Sequence, residues 1–190
     1  MWRYLGLVLL TMVGVIIVMG VLRFLFGPEL VGLIWLVLLV VGVVVIVRNF
    51  ASNRKVADAA PEARAQALSF AADPSRATLY VLRTQFLGMA VGVNVEVDGK
   101  PVAQLKSPRF TRVLLTPGAH RVSGYTGPAS GRKPGGELDL NAAPGEIIVV
   151  MCEVQPGMVG TTSMFKRVDL ETVRAKLQST RMVAPDLVEV

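Results

Sequence analysis

The 190-residue sequence contains one cysteine, Cys152, and one histidine, His120. A single cysteine excludes an intrachain disulfide, and one residue of each type is too few for a typical zinc site. A Ser-His-Asp or Cys-His arrangement would have to use His120, whose position just after a Pro-Gly turn favours a structural ring beside a hairpin. Cys152 lies in the apolar run Ile147–Val154, which favours a buried, inert thiol. We therefore predict no enzymatic activity, no metal and no cofactor.

Charge is scarce in the first 48 residues, which contain three basic residues and one acidic residue. Residues 4–22 and 30–47 carry no charge and include twelve and fifteen Leu, Ile or Val residues, respectively. At about 1.5 Å per residue each run forms a helix of roughly 27–29 Å, close to the ~30 Å hydrocarbon core of a bilayer. The alternative, two core helices of a soluble fold, is disfavoured because so short a chain cannot easily cover two helices that are apolar all round.

The link between the two runs is short and contains Gly27-Pro28, which breaks a helix. A short link makes the helices antiparallel neighbours, so residues 1–48 are predicted to form a transmembrane hairpin. A cleaved signal peptide is the alternative for the first run. That run is longer than a typical signal-peptide core, however, and no small-x-small cleavage site follows it.

Basic flanks predict the orientation of the hairpin. The turn contains Arg23 alone, whereas four basic residues lie on the side of the two termini: Arg3, Arg48, Arg54 and Lys55. This bias predicts a membrane protein with two spans, with both termini and the soluble domain on the cytoplasmic side. The remaining 142 residues contain 17 basic and 13 acidic groups, a mixed surface that does not require a nucleic-acid partner.

Residues 49–75 form an Ala-rich linker, for which a docked helix starting between Asp58 and Ala60 and a mobile spacer are both open. Residues 76–180 then show short β segments separated by turn signals. In Val91–Val97 the valines alternate with other residues, and Asp98-Gly99 after them is typical of a tight hairpin. We expect a membrane-anchored α+β chain with a small antiparallel β-sandwich, a C-terminal helix capped by Asp169 and a tail at 181–190.

Three segments of this region resemble a known family. They are VEVDGKPVAQL at 95–105, F..VLLTPGAHRV at 110–122 and LDLNAAPGEIIV at 138–149. Together they are similar to the bacterial PEGA-type β-sandwich modules, and more closely to related uncharacterised domains that are often carried by lipoproteins. The resemblance covers about residues 77–168. It implies an immunoglobulin-like or carboxypeptidase-regulatory-like sandwich at the cell envelope, without a known enzyme activity. Because relatives with lipid anchors face away from the cytoplasm, it also keeps a periplasmic or extracellular location open.

These features predict a membrane-tethered, non-catalytic interaction or scaffold module. Its partners would be the lipid bilayer and another membrane or envelope protein, and a homo-oligomer is also open. The alternative is a surface-held domain that binds anionic lipid or a small ligand through its basic Gly/Pro-rich loop, residues 127–136. The candidate contacts for that alternative are Arg132 and Lys133 in the loop and Arg54 and Lys55 beside the membrane.

Overall fold

The structure is a computed structural model that describes residues 2–51, 53–86, 88–127, 136–157 and 160–190. The chain divides into two compact units, Met1–Arg48 and Asn49–Val190. The first unit is helical, and the second consists of two β-sheets and two short helices.

The first unit lies within one helical element, α1 (Trp2–Ala51). The sequence predicts two helices separated by a link, and this differs from the structure because only Gly27 in the link leaves the helical conformation. Its φ of 78° and ψ of 161° are open to glycine, and the following Pro28 fits the first turn of the resumed helix. The link therefore shrinks to a one-residue break inside a single element.

A contact across this break shows that α1 is not straight. The indole Nε1 of Trp35 donates a hydrogen bond to Sδ of Met19 at 3.1 Å. In an uninterrupted helix, residues 16 positions apart lie about 24 Å from each other. The conformation of Gly27 must therefore bring the segments on its two sides back towards each other.

Among the described residues, one stretch of helix, Val13–Val44, is long and apolar enough to cross a membrane. Its side chains are mostly exposed, so it is not a core helix of this chain. Length and composition alone do not distinguish a retained span from a signal sequence near an N-terminus.

The second unit contains the helices α2 (Pro61–Leu68) and α3 (Leu170–Ser179). Asp169 caps α3 as predicted, because its side chain accepts a hydrogen bond from the N–H of Glu171. The described strands are β1 (Ala77–Arg83), β2 (Val93–Val97), β3 (Lys100–Leu105), β4 (Arg109–Leu115), β5 (Gly118–Thr126), β6 (Leu138–Ala142), β7 (Ile147–Gly157), β8 (Gly160–Val168) and β9 (Arg181–Met182).

The strands form a five-stranded sheet in the order β8-β7-β1-β4-β9 and a four-stranded sheet in the order β3-β2-β5-β6. The four-stranded sheet is antiparallel, as predicted. The five-stranded sheet is mixed, which corrects the prediction, because β1 pairs with β7 and β4 with β9 in parallel. Parallel neighbours need long crossover connections, and both pairs join strands that are far apart in sequence.

The hydrophobic core lies between the two sheets, and a second cluster lies under the helices. Val93, Val95 and Val97 of β2 are fully buried in the core, while Val91 precedes the strand and is half-buried. The turn after β2 has positive φ at Asp98 (52°) and Gly99 (75°), as a tight Asp-Gly hairpin requires. All seven residues of β1 are buried because the helices cover the other face of its sheet.

Two segments outside the predicted β region complete the sheets. The linker runs beside β9, where the N–H of Ala59 donates to the carbonyl oxygen of Met182 at 2.9 Å. The C-terminal segment runs beside β4, where the N–H groups of Leu114 and Thr116 donate to the carbonyl oxygens of Val188 and Val190. Residues 181–190, for which the sequence predicts only a tail, therefore cover a sheet edge.

Candidate functional site

The basic residues predicted to contact an anion are not brought together in the described part of the chain. Arg132 and Lys133 lie outside the described residues. Arg54 forms an ion pair with Asp186, and its backbone N–H donates to Oε1 of Gln104 at 2.9 Å. Lys55 is exposed. In the structure, Arg54 therefore fastens the linker to β3 and to the C-terminal segment of the same unit.

His120 is held between the turn of the β2–β3 hairpin and the connection that leads from β4 in one sheet to β5 in the other. Its Nδ1 lies 2.7 Å from Oδ2 of Asp98, and its Nε2 lies 2.7 Å from the carbonyl oxygen of Thr116. The second contact occupies the nitrogen that would face a nucleophile in a catalytic triad. His120 is also buried, so its position fits a brace between the β2–β3 turn and the β4–β5 connection.

Asp98 is the acidic member of this brace. Partial burial acts to raise its pKa, but hydrogen bonds from the N–H of Arg121 and from His120, with the charges of His120 and Lys100, outweigh it. The pKa of Asp98 is therefore lowered from its usual value of 3.8. The lowered pKa favours the carboxylate form, which accepts both hydrogen bonds.

A groove of about 580 Å³ lies beside this pair and includes Arg121 and Asp139. Nε of Arg121 lies 2.8 Å from Oδ1 of Asp139, and its Nη1 lies 3.4 Å from Oε2 of Glu137. The guanidinium is thus already balanced by carboxylates. This groove therefore has no excess positive charge with which to select an anion.

Cys152 is fully buried in the core, as the sequence predicts. Burial raises the pKa of its thiol to about 12, although the positive charge of Arg83 acts in the opposite direction. At neutral pH the thiol is therefore protonated, and a protonated, inaccessible thiol is a poor nucleophile.

Arg83, at the end of β1, is the largest fully buried side chain of the chain's described part. Its Nη1 donates to the carbonyl oxygens of Val91 and Leu105, and its Nη2 donates to that of Gly88 at 2.8 Å. Burial lowers the pKa of this guanidinium. Arg83 therefore fixes the path of the segment between β1 and β2 from inside the fold.

A second groove, of about 530 Å³, is lined by the segment before β2, the connection from β3 to β4, and the junction of α3 with β9. We call it the basic groove. Its wall includes Met89, Ala90 and Pro108, and the Ser107–Pro108 peptide is cis. Its polar lining residues are Lys106, Ser107, Arg109, Ser179, Thr180 and Arg181.

The register of the five-stranded sheet places three arginines in one row. Arg83 of β1 pairs with Arg109 of β4, and Arg109 pairs with Arg181 of β9. Asp58 of the linker serves two of them, because its Oδ1 lies 3.0 Å from Nη1 of Arg109 and its Oδ2 lies 3.9 Å from Nη1 of Arg181. One carboxylate therefore faces two guanidinium groups at the rim of the basic groove.

Comparison with known proteins gives no assignment at this point. No protein-family model matches the chain, and no curated protein matches it. Among the described residues, no group of three or more His, Cys, Asp or Glu side chains could hold a metal ion. The features of the chain that bear on its function are therefore the apolar helix, the brace at His120 and the basic groove.

Sequence reasoning missed both the buried Arg83 and the basic groove. Each arginine of the row lies at the end or the start of a short strand, a place where basic residues are common and usually exposed. Only the sheet register brings the three together, and no local pattern predicts that register. The one signal in the sequence was an arginine that ends the apolar run Ala77–Leu82.

Proposed function

We propose that the chain is a membrane-anchored, non-catalytic interaction module of the bacterial cell envelope. The observation that carries this proposal is the exposed apolar surface of α1, which water would solvate poorly. The brace at His120 supports the non-catalytic part. Both ring nitrogens of the single histidine contact acceptors that belong to the fold.

Two membrane spans fit α1 better than one. A straight helix of 50 residues would be roughly 75 Å long, more than twice the thickness of a hydrocarbon core. The break at Gly27 and the contact of Trp35 with Met19 support a pair of spans that return the chain to the side on which it began. Together with the basic flanks, these features support our proposal that both termini lie in the cytoplasm at the inner membrane, with a periplasmic or extracellular domain as the alternative.

For the second unit we propose a relative of the PEGA-type sandwiches, of immunoglobulin-like or carboxypeptidase-regulatory-like type. Two sheets that share one core support this proposal. The feature that tests this relationship is the parallel pairing of β1 with β7, which should recur between the corresponding strands of PEGA-type sandwiches.

The exposed edge of β6 is the surface that we propose for a protein partner. Linker residues cover β9, and the N–H of Asp186 donates to the carbonyl oxygen of Val102 on β3. The N–H of Gly136 donates to Ser163 on β8. Within the described ranges, no backbone hydrogen bond covers the outer side of β6, so its five residues can accept an added strand.

Topology is tested with paired reporters at the N- and C-termini of the full-length chain. Two spans place both reporters on the same side of the membrane, and deletion of residues 30–47 then moves only the C-terminal reporter. Reporters on opposite sides in the intact chain would contradict the two-span proposal. If mass spectrometry shows that the mature protein lacks its first residues, the first apolar run is a cleaved signal sequence instead.

Partner binding is tested with a photo-crosslinking amino acid in cells. Placed at Asn141, which is exposed on β6, it should give a defined adduct with a membrane protein or with a second copy. The matched control is Glu171, which is exposed on α3. No adduct, or the same adduct from both positions, would reject the β6 edge as the docking surface.

A further inference from the structure

We propose that the basic groove binds a phosphate ester, with Lys106, Arg109 and Arg181 as the cationic ligands. This goes beyond the anchoring and the strand edge proposed above, because it concerns a different surface and a small anionic group. It also uses none of the residues of the basic loop for which the sequence predicts anion contact.

The positive charge of the groove exceeds the negative charge that the fold supplies to it. Arg109 and Arg181 share the carboxylate of Asp58, at 3.0 and 3.9 Å. No contact in the described part of the chain neutralises Lys106, which is half-buried. The guanidinium of Arg83, directly across from Arg109 in the sheet, donates to carbonyl oxygens.

Like charges on paired strands destabilise a sheet. A bound anion would offset this repulsion while gaining charge-assisted hydrogen bonds. Guanidinium groups suit phosphate because their planar donors match two of its oxygens, and an ammonium adds a third positive centre. A phosphate monoester has a charge of about −1.5 to −2 at pH 7, similar to the excess at the groove.

The hydroxyl groups of the groove differ in whether they can donate a hydrogen bond to the anion. Those of Ser179 and Thr180 donate to the carbonyl oxygen of Lys176, at 3.1 and 2.5 Å, so their protons are already used. Ser107 has no such described contact for its hydroxyl, and its N–H donates to Met89. The anion would therefore be held mainly by the cations, with Ser107 as a neutral donor.

The groove also has an apolar side, which favours an ester over free phosphate. Met89, Ala90 and Pro108 line it, and its volume of about 530 Å³ exceeds that of one phosphate group. Small-molecule sites commonly combine such apolar walls with a few polar groups that orient the ligand. The organic part of the ester would lie against this wall.

The test uses the full-length chain in a neutral detergent with phenyl phosphate as the probe, followed by isothermal titration calorimetry. Benzoate is the matched anion that lacks phosphate. We expect saturable binding of phenyl phosphate and at least tenfold weaker binding of benzoate. Equal affinity for the two anions, or no saturable binding of phenyl phosphate, would overturn the proposal.

Two variants assign the binding to the groove. Lys106→Gln and Arg181→Gln should each weaken phenyl phosphate binding about tenfold or more, since each loses a charge-assisted contact. Their matched controls are Lys166→Gln and Arg167→Gln, which remove the same charges from β8 and should bind like the wild type. Lys106→Arg should retain binding. An equal loss in groove and control variants would show only a general charge effect and reject the site.

Thermal unfolding of each variant shows whether it still folds, because Lys106 and Arg181 are not buried and their replacement should leave the midpoint almost unchanged. The source of the ester is then tested with phosphatidic acid, a lipid with a phosphate monoester headgroup, added to the micelles. Competition with phenyl phosphate would identify a lipid headgroup, and its absence would identify a soluble ester. Either result supports phosphate recognition, whereas a groove variant that binds normally and is fully folded contradicts it.

Discussion

At the scale of single residues, the two groups that most resemble catalytic ones, His120 and Cys152, have structural surroundings. His120 contacts Asp98 and a backbone carbonyl, and Cys152 is a buried thiol. Buried polar groups need such partners because an unpaired one costs about 1–3 kcal/mol. We therefore expect substitution of His120 or its partner to change the free energy of unfolding, and the burial of Cys152 to slow its reaction with reagents.

The lowered pKa of Asp98 predicts a pH-dependent contribution to stability. Because its folded pKa lies below the usual 3.8, this contribution is present above the unfolded value and is lost as the pH falls through the folded value. Asp98→Asn should lower the unfolding free energy by about 1–2 kcal/mol near pH 6. The difference from the wild type should shrink as the pH falls below 3.8, measured by thermal unfolding in detergent.

Asp139→Asn is the matched control for this prediction. Its side chain is 76% exposed, and it pairs with Arg121 on the surface. Such a pair contributes about 0–1 kcal/mol, so the control should change little. A difference for Asp98→Asn that stays constant down to pH 2 would show that its charge does not matter.

Burial of Cys152 predicts slow reaction with thiol reagents. Its pKa of about 12 leaves almost no thiolate at pH 8, and the core excludes the reagent. We expect labelling to be slow in the folded protein and fast after denaturation. Ser75→Cys, at an exposed position, should label quickly in the folded state and serves as the control. Fast labelling of native Cys152 would contradict its burial.

At the scale of elements, long-range side-chain hydrogen bonds hold the segment between β1 and β2, together with the backbone hydrogen bond from the N–H of Ser107 to Met89. Arg83 binds three carbonyl oxygens around it, and Gln85 forms two hydrogen bonds with the backbone of Val154, at 2.7 and 2.8 Å. Asn53 of the linker donates to Ala90 and accepts from the N–H of Gly92. The groove wall at Met89 and Ala90 therefore depends on these long-range contacts.

Replacement of Arg83 tests this dependence. Arg83→Met should lower the unfolding free energy by about 2–4 kcal/mol, because the buried carbonyl oxygen of Leu105 and the part-buried ones of Val91 and Gly88 lose their donor. Hydrogen exchange should also accelerate at residues 88–92. Arg167→Met, at an exposed position on β8, should change stability by about 0.5 kcal/mol or less. Equal effects of the two changes would show that Arg83 does not organise the segment.

The C-terminal segment acts as an added strand beside β4. Truncation after Asp186 removes three backbone hydrogen bonds between Leu114 or Thr116 and residues 188–190. It also removes Val190 from the edge of the core. We expect a loss of about 1–3 kcal/mol in thermal or denaturant unfolding. Glu189→Gln, which loses only the ion pair with Arg76, should stay near the wild type.

At the scale of the whole molecule, an apolar helical unit is joined to a β unit with a mixed, charged surface. A charge at the centre of a span costs about 2.5–3.5 kcal/mol on the insertion scale, and less near the interface. Two spans place Ile16 and Leu38 near the bilayer centre and Phe24 near the turn. A single span over Val13–Val44 would instead place Phe24 close to the centre.

Arginine substitutions distinguish one span from two, because the cost of a charge depends on its depth in the bilayer. With two spans, Ile16→Arg and Leu38→Arg should each reduce the membrane-inserted fraction, whereas Phe24→Arg should be tolerated. Carbonate extraction of membranes, followed by quantification of the chain in the pellet, measures the fraction. A strong effect of Phe24→Arg would favour one span. A wild-type chain that is monodisperse in buffer without detergent would contradict a membrane role altogether.

Much of the fold could be predicted from local patterns. Charge-free runs predict an apolar helical unit, because hydrophobicity over 18 residues needs no tertiary information. Alternation in β2 predicts its buried face, and Asp98-Gly99 predicts its turn, since both depend on neighbouring residues. The break at Gly27-Pro28 could also be predicted from local sequence. That it involves only one non-helical residue, Gly27, could not.

The rest depends on which strands meet, which only the tertiary structure decided. β9 has two residues and no periodicity, yet its parallel pairing with β4 completes the row of Arg83, Arg109 and Arg181. The parallel pairing of β1 with β7 likewise joins segments far apart in sequence. Local composition sets which face of a strand is apolar, whereas register follows from packing over the whole core. The sequence alone therefore determined the apolar helical unit and the β content but not the basic groove.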